Sequence, residues 1–532
     1  MAEPTAFGID LGTTMSVVAQ VNGAGLPVVL PNAEGAPTTP SIVAFDSARG
    51  AVGAVVGAVA REMLATEPDA VVQLVKRHVG SGWTFDYAGV TYRPEHVSAL
   101  ILRKVVQDAA LLAGPVTQAA ITVPAYFSDP MRAATLRAGE LAGLEVLGLL
   151  SEPTAAAIAY GYDKRPVGTT GVVVDLGGGT FDVTVMDYNG AELIVRATGG
   201  DAYLGGANFD KVLFDYFTQA FESAHGLDIN DPDALTIDEV TQVSRDWLLR
   251  AARAKHDLTA RERTSVALQA AGLTLRVEVS RADFIARSSI LLDEMTEKMT
   301  DVVEAAGLRP ADISLVLPVG GATRMPVVRE RIRSVFGVEP DTSVRPDEAV
   351  ALGAALFAAR RQLERGGALV MEPAAREYLE ELAVTDVAAH SLGISVFESA
   401  RPGAGIGSMA RQRQVMTALL PRNTALPFSA ERTFYTMRPG ETQIIIPVLE
   451  GESADPDLCR RAGVVVIDGL PPGRPASQPV TVTMSLNTDG ILQVAAVDVA
   501  TGAQASTTIV HEYLADGGGD AADRMVATMP VD

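Results

Sequence analysis

A single cysteine, Cys459, rules out an internal disulfide framework and gives no sign of an oxidising compartment. Bases are scarce beside acids, 43 Lys and Arg against 65 Asp and Glu, and the net charge of −22 argues against a surface that tracks nucleic-acid phosphates. No run of about eighteen uninterrupted apolar residues occurs, so no membrane span is expected. Residues 1–5 carry neither the basic cluster nor the apolar stretch of a secretory signal. The six histidines lack zinc-ligand spacing, and the absence of a Gly-Lys dipeptide excludes a P-loop. The expectation is a cytoplasmic protein with no nucleic-acid and no membrane partner. What is present is ordinary for a globular chain: 48% apolar and 20% charged residues over 532 positions, room for about three or four domains.

Two nearly matching signatures stand out. Phe7-Gly8-Ile9-Asp10-Leu11-Gly12-Thr13-Thr14 and Val173-Val174-Asp175-Leu176-Gly177-Gly178-Gly179-Thr180-Phe181-Asp182 are each an apolar strand that ends in Asp, turns through glycine and offers hydroxyls. Glycine lets the backbone approach an anion and aim its N–H groups at it, the threonines add donors, and each Asp can bind magnesium directly or through its waters. The pair reads as two jaws around the phosphates of a magnesium nucleotide, carried by two lobes of similar design. A third stretch, Leu315 to Pro326, adds a strand, the pair Gly320-Gly321 and a helix start, where backbone N–H groups favour phosphate or let a nucleoside lie flat.

The chain divides by period. Residues 1–365 alternate β-rich and helical runs, as α/β architecture does, and end in a helix that opens on Pro346-Asp347-Glu348 and closes on Arg360, Arg361, Arg365 and Gly366-Gly367. Residues 366–387 read as an interdomain linker. Over 388–514 the period becomes two: Val480, Val482, Met484 and Leu486 alternate with polar residues before Asp489-Gly490 marks a tight turn, giving an antiparallel β domain consistent with a sandwich. Residues 515–532, after Tyr513 and around Gly517-Gly518-Gly519, read as a disordered tail.

The strings Asp10 to Ser16, Ile121 to Phe127, Ser151 to Ala157, Asp175 to Val183, Leu204-Gly205-Gly206 and Gly320 to Pro326 occur in the order seen in the seventy-kilodalton heat-shock chaperones, the DnaK family, and the chain resembles that family over roughly residues 5–514. The resemblance implies an α/β actin-like, two-lobed ATPase domain followed by an antiparallel β-sandwich that binds extended, unfolded polypeptide, with ATP or ADP and Mg2+ as cofactors. It implies that Asp10, Asp175 and Asp182 hold the magnesium and its waters, and that Thr13, Thr14 and Thr180 supply phosphate and nucleophile-site hydroxyls. Lys76 matches the lysine that positions the attacking water, and Glu152 the glutamate of the same cluster. Gly12, Gly177, Gly178, Gly179, Gly205 and Gly206 fall in the nucleotide-binding loops; Lys255 matches a ribose contact, and Gly320, Gly321, Arg324 and Asp347 the base side. Pro124 and Arg132 match a pair that relays nucleotide state to the β domain. Phe397 and Met437 match the residues that arch over bound peptide, and Ile444 the wall of its pocket, although apolar residues there also suit an ordinary core. A J-domain co-chaperone and a nucleotide-exchange factor are the partners the resemblance brings with it.

Departures matter as much. Ala252 and His256 flank Lys255 where the family has a glutamate and often a base, and Ala207-Asn208 replace an acidic pair. The stretch between Lys76 and Pro124 is some twenty-five residues shorter than family analogy implies. The linker Leu382-Ala383-Val384-Thr385 offers less apolar area than the family's aliphatic run, which weakens its docking at about 25 cal/mol per Å2. A loop over 398–414, with three glycines, is atypical. No helical lid follows the β domain before Asp532, from which fast peptide exchange is expected. Two rival readings stay open: a nucleotide-gated scaffold for one dedicated protein partner, with little hydrolysis, and a sugar kinase or filament-forming actin relative, which would leave the β domain unexplained.

Overall fold

The computed structural model describes residues 6–47, 52–64, 66–231, 234–367, 369–398, 413–508 and 519–532. Within 6–365 two sheets repeat one plan. In the first, Phe7–Asp10 pairs antiparallel with Met15–Val21, which pairs with Pro27–Leu30, while the other side of Phe7–Asp10 pairs parallel with Gln118–Val123 and that with Glu145–Ser151. In the second, Val167–Leu176, Phe181–Asn189 and Glu192–Asp201 form the same antiparallel meander, and Val167–Leu176 pairs parallel with Leu315–Val319. The repeat inferred from the two Asp-Leu-Gly signatures is thus a repeat of topology. The strand stretches Gly171–Leu176 and Leu315–Val319 are buried throughout, as strands covered on both faces require, and read as near-continuous apolar runs.

Helices supply the covering layers. Pro94–Ala113 and Asp129–Leu141 complete a core with the first sheet; Gly206–His225, Ile237–Ala260, Ser289–Ala305 and Pro326–Phe336 complete one with the second. Between the sheets lie Glu152–Lys164 and Ala349–Glu364, whose apolar residues share one cluster with both sheets. Their closeness depends on small residues: a Cβ on Gly353 would run into the carbonyl of Ala155, and one on Gly8 into the backbone of Ala355. Ala155, Ala156, Ala354 and Ala355 continue the seam, which fixes the two sheets against a common pair of helices.

After Pro373–Glu381 comes a three-residue strand, Ala383–Thr385, which adds in parallel to the edge of Glu192–Asp201, with Leu193 beside Val384. Leu382 and Val387, on either side, are buried at 1% and 4% exposure, so the short linker strand is anchored by its flanks more than by its own side chains. Beyond it, two four-stranded antiparallel sheets enclose a single core. One orders Arg413–Leu420, Leu392–Glu398, Ile444–Glu450 and Arg460–Ile467; the other Phe428–Tyr435, Pro479–Leu486, Leu492–Asp498 and Gln504–Thr508. Residues 399–412 of the atypical loop lie outside the described residues.

The end of the chain departs from expectation. The disordered tail read over 515–532 is not what residues 519–532 form. Gly519–Thr528 is a helix, and Ala522, Val526 and Met529 are buried in the core of the first sheet. Alternation of small and apolar residues three and four apart, Ala522, Met525, Val526 and Met529, gives it one apolar face; the glycines before it and the short length masked that signal. Residues 515–518 lie outside the described set.

Candidate functional site

Both signatures end their strands at one place. Antiparallel register sets Asp175 directly opposite Asp182, so the two carboxylates project from the same face. The loops of the two sheets then touch: a Cβ on Gly178 would overlap Thr14 Oγ1, and one on Gly179 would lie 2.7 Å from Thr13 Cγ2. Gly205 sits on Gly179, where a Cβ would come within 2.5 Å of the backbone, and Gly206 and Ala207 donate to the carbonyls of Gly177 and Gly178 at 2.9 and 2.8 Å. Close approach of three backbones is the physical reason for glycine here. Thr180 closes the second loop by accepting from the Gly177 N–H at 3.0 Å, and Gly12 passes so near the Met15 carbonyl that no side chain would fit.

Lys76 enters this cleft from a 3-10 turn, Val75–His78, preceded by Leu74 at φ 57°. A left-handed leucine costs about 1 kcal/mol, strain stored next to the residue it aims. Lys76 is 5% exposed; its ammonium pairs with Glu152, donates to the Leu11 carbonyl at 2.5 Å and lies 5.7 Å from the centre of the Phe127 ring. Glu152 is the first residue of its helix, where a carboxylate suits the dipole.

The cluster is over-supplied with acid. Burial, then the Glu152 carboxylate, raise the Asp10 pKa to about 7, while Lys76 and a 3.4 Å hydrogen bond from Thr122 pull the other way. Burial first, then Glu152, Asp182 and Asp10, hold Asp175 well above the carboxylate range. Asp182, fully buried, is pushed up by burial and Glu152; the amides of Tyr126 and Ala125 oppose this, yet neither carboxylate oxygen has a partner in hydrogen-bond geometry. Such orphaned buried oxygens call for a cation. Among the described residues no three His, Cys, Asp or Glu side chains approach closely enough to hold a metal by themselves. That set suits magnesium, which keeps several waters and shares its coordination with substrate phosphates, better than a metal caged by protein alone.

The base-side residues also converge. Gly320, at φ 81°, lies so near Asp175 that a Cβ would come 2.6 Å from Oδ1; Gly321 faces Asp347, and Arg324 Nε donates to Asp347 Oδ2 at 3.0 Å. Lys255 donates to the Gly206 carbonyl at 2.9 Å and pairs with Asp210 at 2.7 Å. Asp210, raised by burial and eased by Lys255, is the lysine's carboxylate here, in the neighbourhood where Ala252 offers none. Asn208 accepts from the Gly205 N–H at 2.9 Å and caps the helix Gly206–His225, a structural task for the residue that replaces an acid.

Arg77 was not singled out in the sequence. It follows Lys76, and its guanidinium crosses to the second loop, donating to the Gly179 carbonyl at 2.8 Å and to Asn208 at 3.4 Å. A second base directly after Lys76 was the available signal.

The β sheets meet this body through the segment behind the cleft. Arg132, 7% exposed, donates to the carbonyls of Phe127 and Asp489 at 3.0 and 3.1 Å; Asp129 accepts from the Leu492 N–H at 2.6 Å; His390 Nε2 is 2.9 Å from the Tyr126 carbonyl. Thr154 and the Val387 N–H hold Asp386, whose pKa burial raises against the pull of Arg132. On the other side Arg422 donates to the Thr198 carbonyl at 2.6 Å, and Asn423 accepts from the Thr198 N–H. Pro124 is buried at the start of this segment, its carbonyl accepting from Phe127. The turn Asp489-Gly490 thus lodges against Arg132, and at Gly490, with φ 74°, a Cβ would crowd that arginine.

The peptide-matching residues lie at the far end of the β sheets. Phe397 and Met437 are 45% and 41% exposed, while Ile444 is half-buried against the core. Strand Leu392–Glu398 pairs with Ile444–Glu450 only as far as Ile394 and Val448, so the sheet parts where Phe397 and Ile444 reside.

Sequence comparison agrees with this geometry. A family-wide description, "Hsp70 protein", matches residues 6–86 and 82–530. The chain is 36% identical over 538 aligned positions to "Chaperone protein DnaK" of Thermus thermophilus, covering 95% of this chain and 80% of that protein. With buried acids, a paired lysine and glycine loops assembled between two like sheets, and a match along nearly its whole length, the chain belongs to the Hsp70 family of ATP-dependent chaperones.

Proposed function

We propose that this chain is an ATPase-driven chaperone in which an actin-like, two-lobed domain over residues 1–365 controls a β-sandwich peptide-binding domain over 388–514 through the 366–387 linker. The observation that carries the reading is the cluster of buried Asp175, Asp182 and Glu152 and half-buried Asp10, with Lys76 as its cation, placed where two glycine loops meet beside the segment that holds the β sheets. In it Asp10, Asp175 and Asp182 hold Mg2+ and its waters, and the ion, when bound, offsets the charge of the ATP β- and γ-phosphates. Phosphoryl transfer to water needs mostly positioning and electrostatics from protein. Thr13, Thr14 and Thr180 with the amides of Gly12 and Gly177–Gly179 cradle the phosphates. Lys76, aimed by its ion pair with Glu152, orients the attacking water and faces the charge that develops on the γ-phosphate. Lys255 with Gly205 and Gly206 holds the ribose; Gly320, Gly321, Arg324 and Asp347 flank the base.

Phe397, Met437 and Ile444 take an extended apolar peptide at the parted end of the β sheets. The described segment after those sheets packs on the first sheet's core, and fast peptide exchange belongs to this proposal. A cytoplasmic setting, a J-domain co-chaperone and a nucleotide-exchange factor complete the reading. Fluorescence anisotropy of a labelled apolar peptide in ATP and in ADP tests it: affinity should be at least about fivefold lower in ATP for the intact chain. In Lys76→Ala the ATP state should persist through what is otherwise a full turnover. Binding of a single protein partner, with no response to a library of apolar peptides, would favour the scaffold instead.

A further inference from the structure

The segment 519–532 is bound like a ligand. Its helix lays Ala522 and Val526, both fully buried, and then Met529 onto the core formed by Tyr92, Val97, Leu100 and their neighbours. Asp523 is gripped from two sides, at 2.8 Å by His96 Nε2 and at 2.6 Å by Arg137, and these partners hold its carboxyl below the usual range against the effect of burial. Arg103 donates to the Val526 carbonyl. Past the helix the chain makes one parallel bridge, Val531 beside Ala54: Ala54 donates to Pro530 at 3.0 Å, Val56 to Asp532 at 2.9 Å, and Asp532 back to Ala54 at 3.0 Å. The surface used joins the helix Pro94–Ala113 and Tyr92 to Arg137 and to the strand around Ala54 and Val56.

We infer that residues 519–532 are a releasable latch, a second tether that keeps the β domain beside the ATPase body after the linker strand lets go. The β sheets run from 392 to 508 and are held at one end by Ala383–Thr385 on the second sheet and at the other by this segment on the first. Only eleven residue steps separate Thr508 from Gly519. At no more than about 3.6 Å per step they reach about 40 Å, so a latched β domain cannot drift farther than that from the first sheet. Release is all-or-none, because a ten-residue helix has no stability of its own in water and exists only while docked.

The test uses the full chain with fluorophores on the first sheet's unit and on the β domain, and hydrogen exchange as a second readout. In the wild type, amides of 526–532 and the N–H groups of Ala54 and Val56 should exchange at least about tenfold more slowly than in Val526→Asp, and Arg137→Ala should fall between them. Linker undocking, forced by Leu382→Asp, should widen the distance distribution only modestly in the wild-type background and clearly further when combined with Val526→Asp. Equal spread with and without Val526→Asp overturns the latch, as does protection of 526–532 that rises with protein concentration, which would place the segment on a second copy.

Discussion

At the level of single residues, the cleft is a site built to be electrostatically incomplete. Asp10, with a folded pKa of about 7 against an ordinary 3.8, binds more protons folded than unfolded between those values, so without metal and nucleotide the fold loses stability as pH rises through that window. Asp175 and Asp182 are shifted the same way and extend the trend upward. Urea titrations with chelator at pH 5 and pH 7.5 should differ by about 2 kcal/mol in favour of pH 5, and Asp10→Asn should flatten the difference. Lys76→Ala removes the cation paired with Glu152 and leaves that carboxylate buried without it, expected to destabilise by about 3 kcal/mol at neutral pH and to slow single-turnover hydrolysis by at least about a hundredfold. A variant with wild-type turnover would remove Lys76 from the chemistry. Asp10, Asp175 and Asp182 were legible because they sit in strings with a physical logic of their own, whereas Lys76 and Glu152 were reached only through the family resemblance. Arg77 and Asp210 were not legible, since their roles come from contacts 102 and 45 residues away along the chain, across to Gly179 and Lys255.

Secondary elements show which sequence signals survive tertiary context. The two Asp-Leu-Gly runs, the 349–364 helix and the 480–494 hairpin could be read ahead because period, caps and turn chemistry agree there. The helix at 519–528 could not, because its only reason to form is the surface it covers. The loop junction at Gly205 gives a sharp element-level test. A methyl group there meets the Gly179 backbone and not a movable side chain, so Gly205→Ala should cost more than about tenfold in ATP affinity, measured with a fluorescent nucleotide, while the far-ultraviolet dichroism stays native. The docked turn Asp489-Gly490 gives another. Arg132→Ala leaves Asp489 and Asp386 without their common base, and ATP should still bind within about twofold of normal yet no longer speed peptide release. Unchanged release in that variant would mean that coupling bypasses the turn.

For the molecule as a whole, the question is whether the body and the β sheets melt together. Nucleotide at a hundred times its dissociation constant stabilises what binds it by about 2.7 kcal/mol. Because Arg132, Asp129, His390 and Arg422 dock the β sheets onto the body, calorimetry with Mg-ATP should move every transition; a β-domain transition that stays fixed would show that the two parts behave independently. The linker's docking was the hardest feature to foresee: Ala383, Val384 and Thr385 look too modest to hold anything, and in the structure it is buried Leu382 and Val387 that secure them. The same economy leaves an exposure. When Ala383–Thr385 departs, Glu192–Ile194 becomes a bare sheet margin whose N–H and C=O groups will accept any extended chain, including the linker of a neighbouring molecule. Concentrated protein in the undocked state is therefore expected to self-associate along that margin, a tendency light scattering would register and a lysine at Ile194 would suppress.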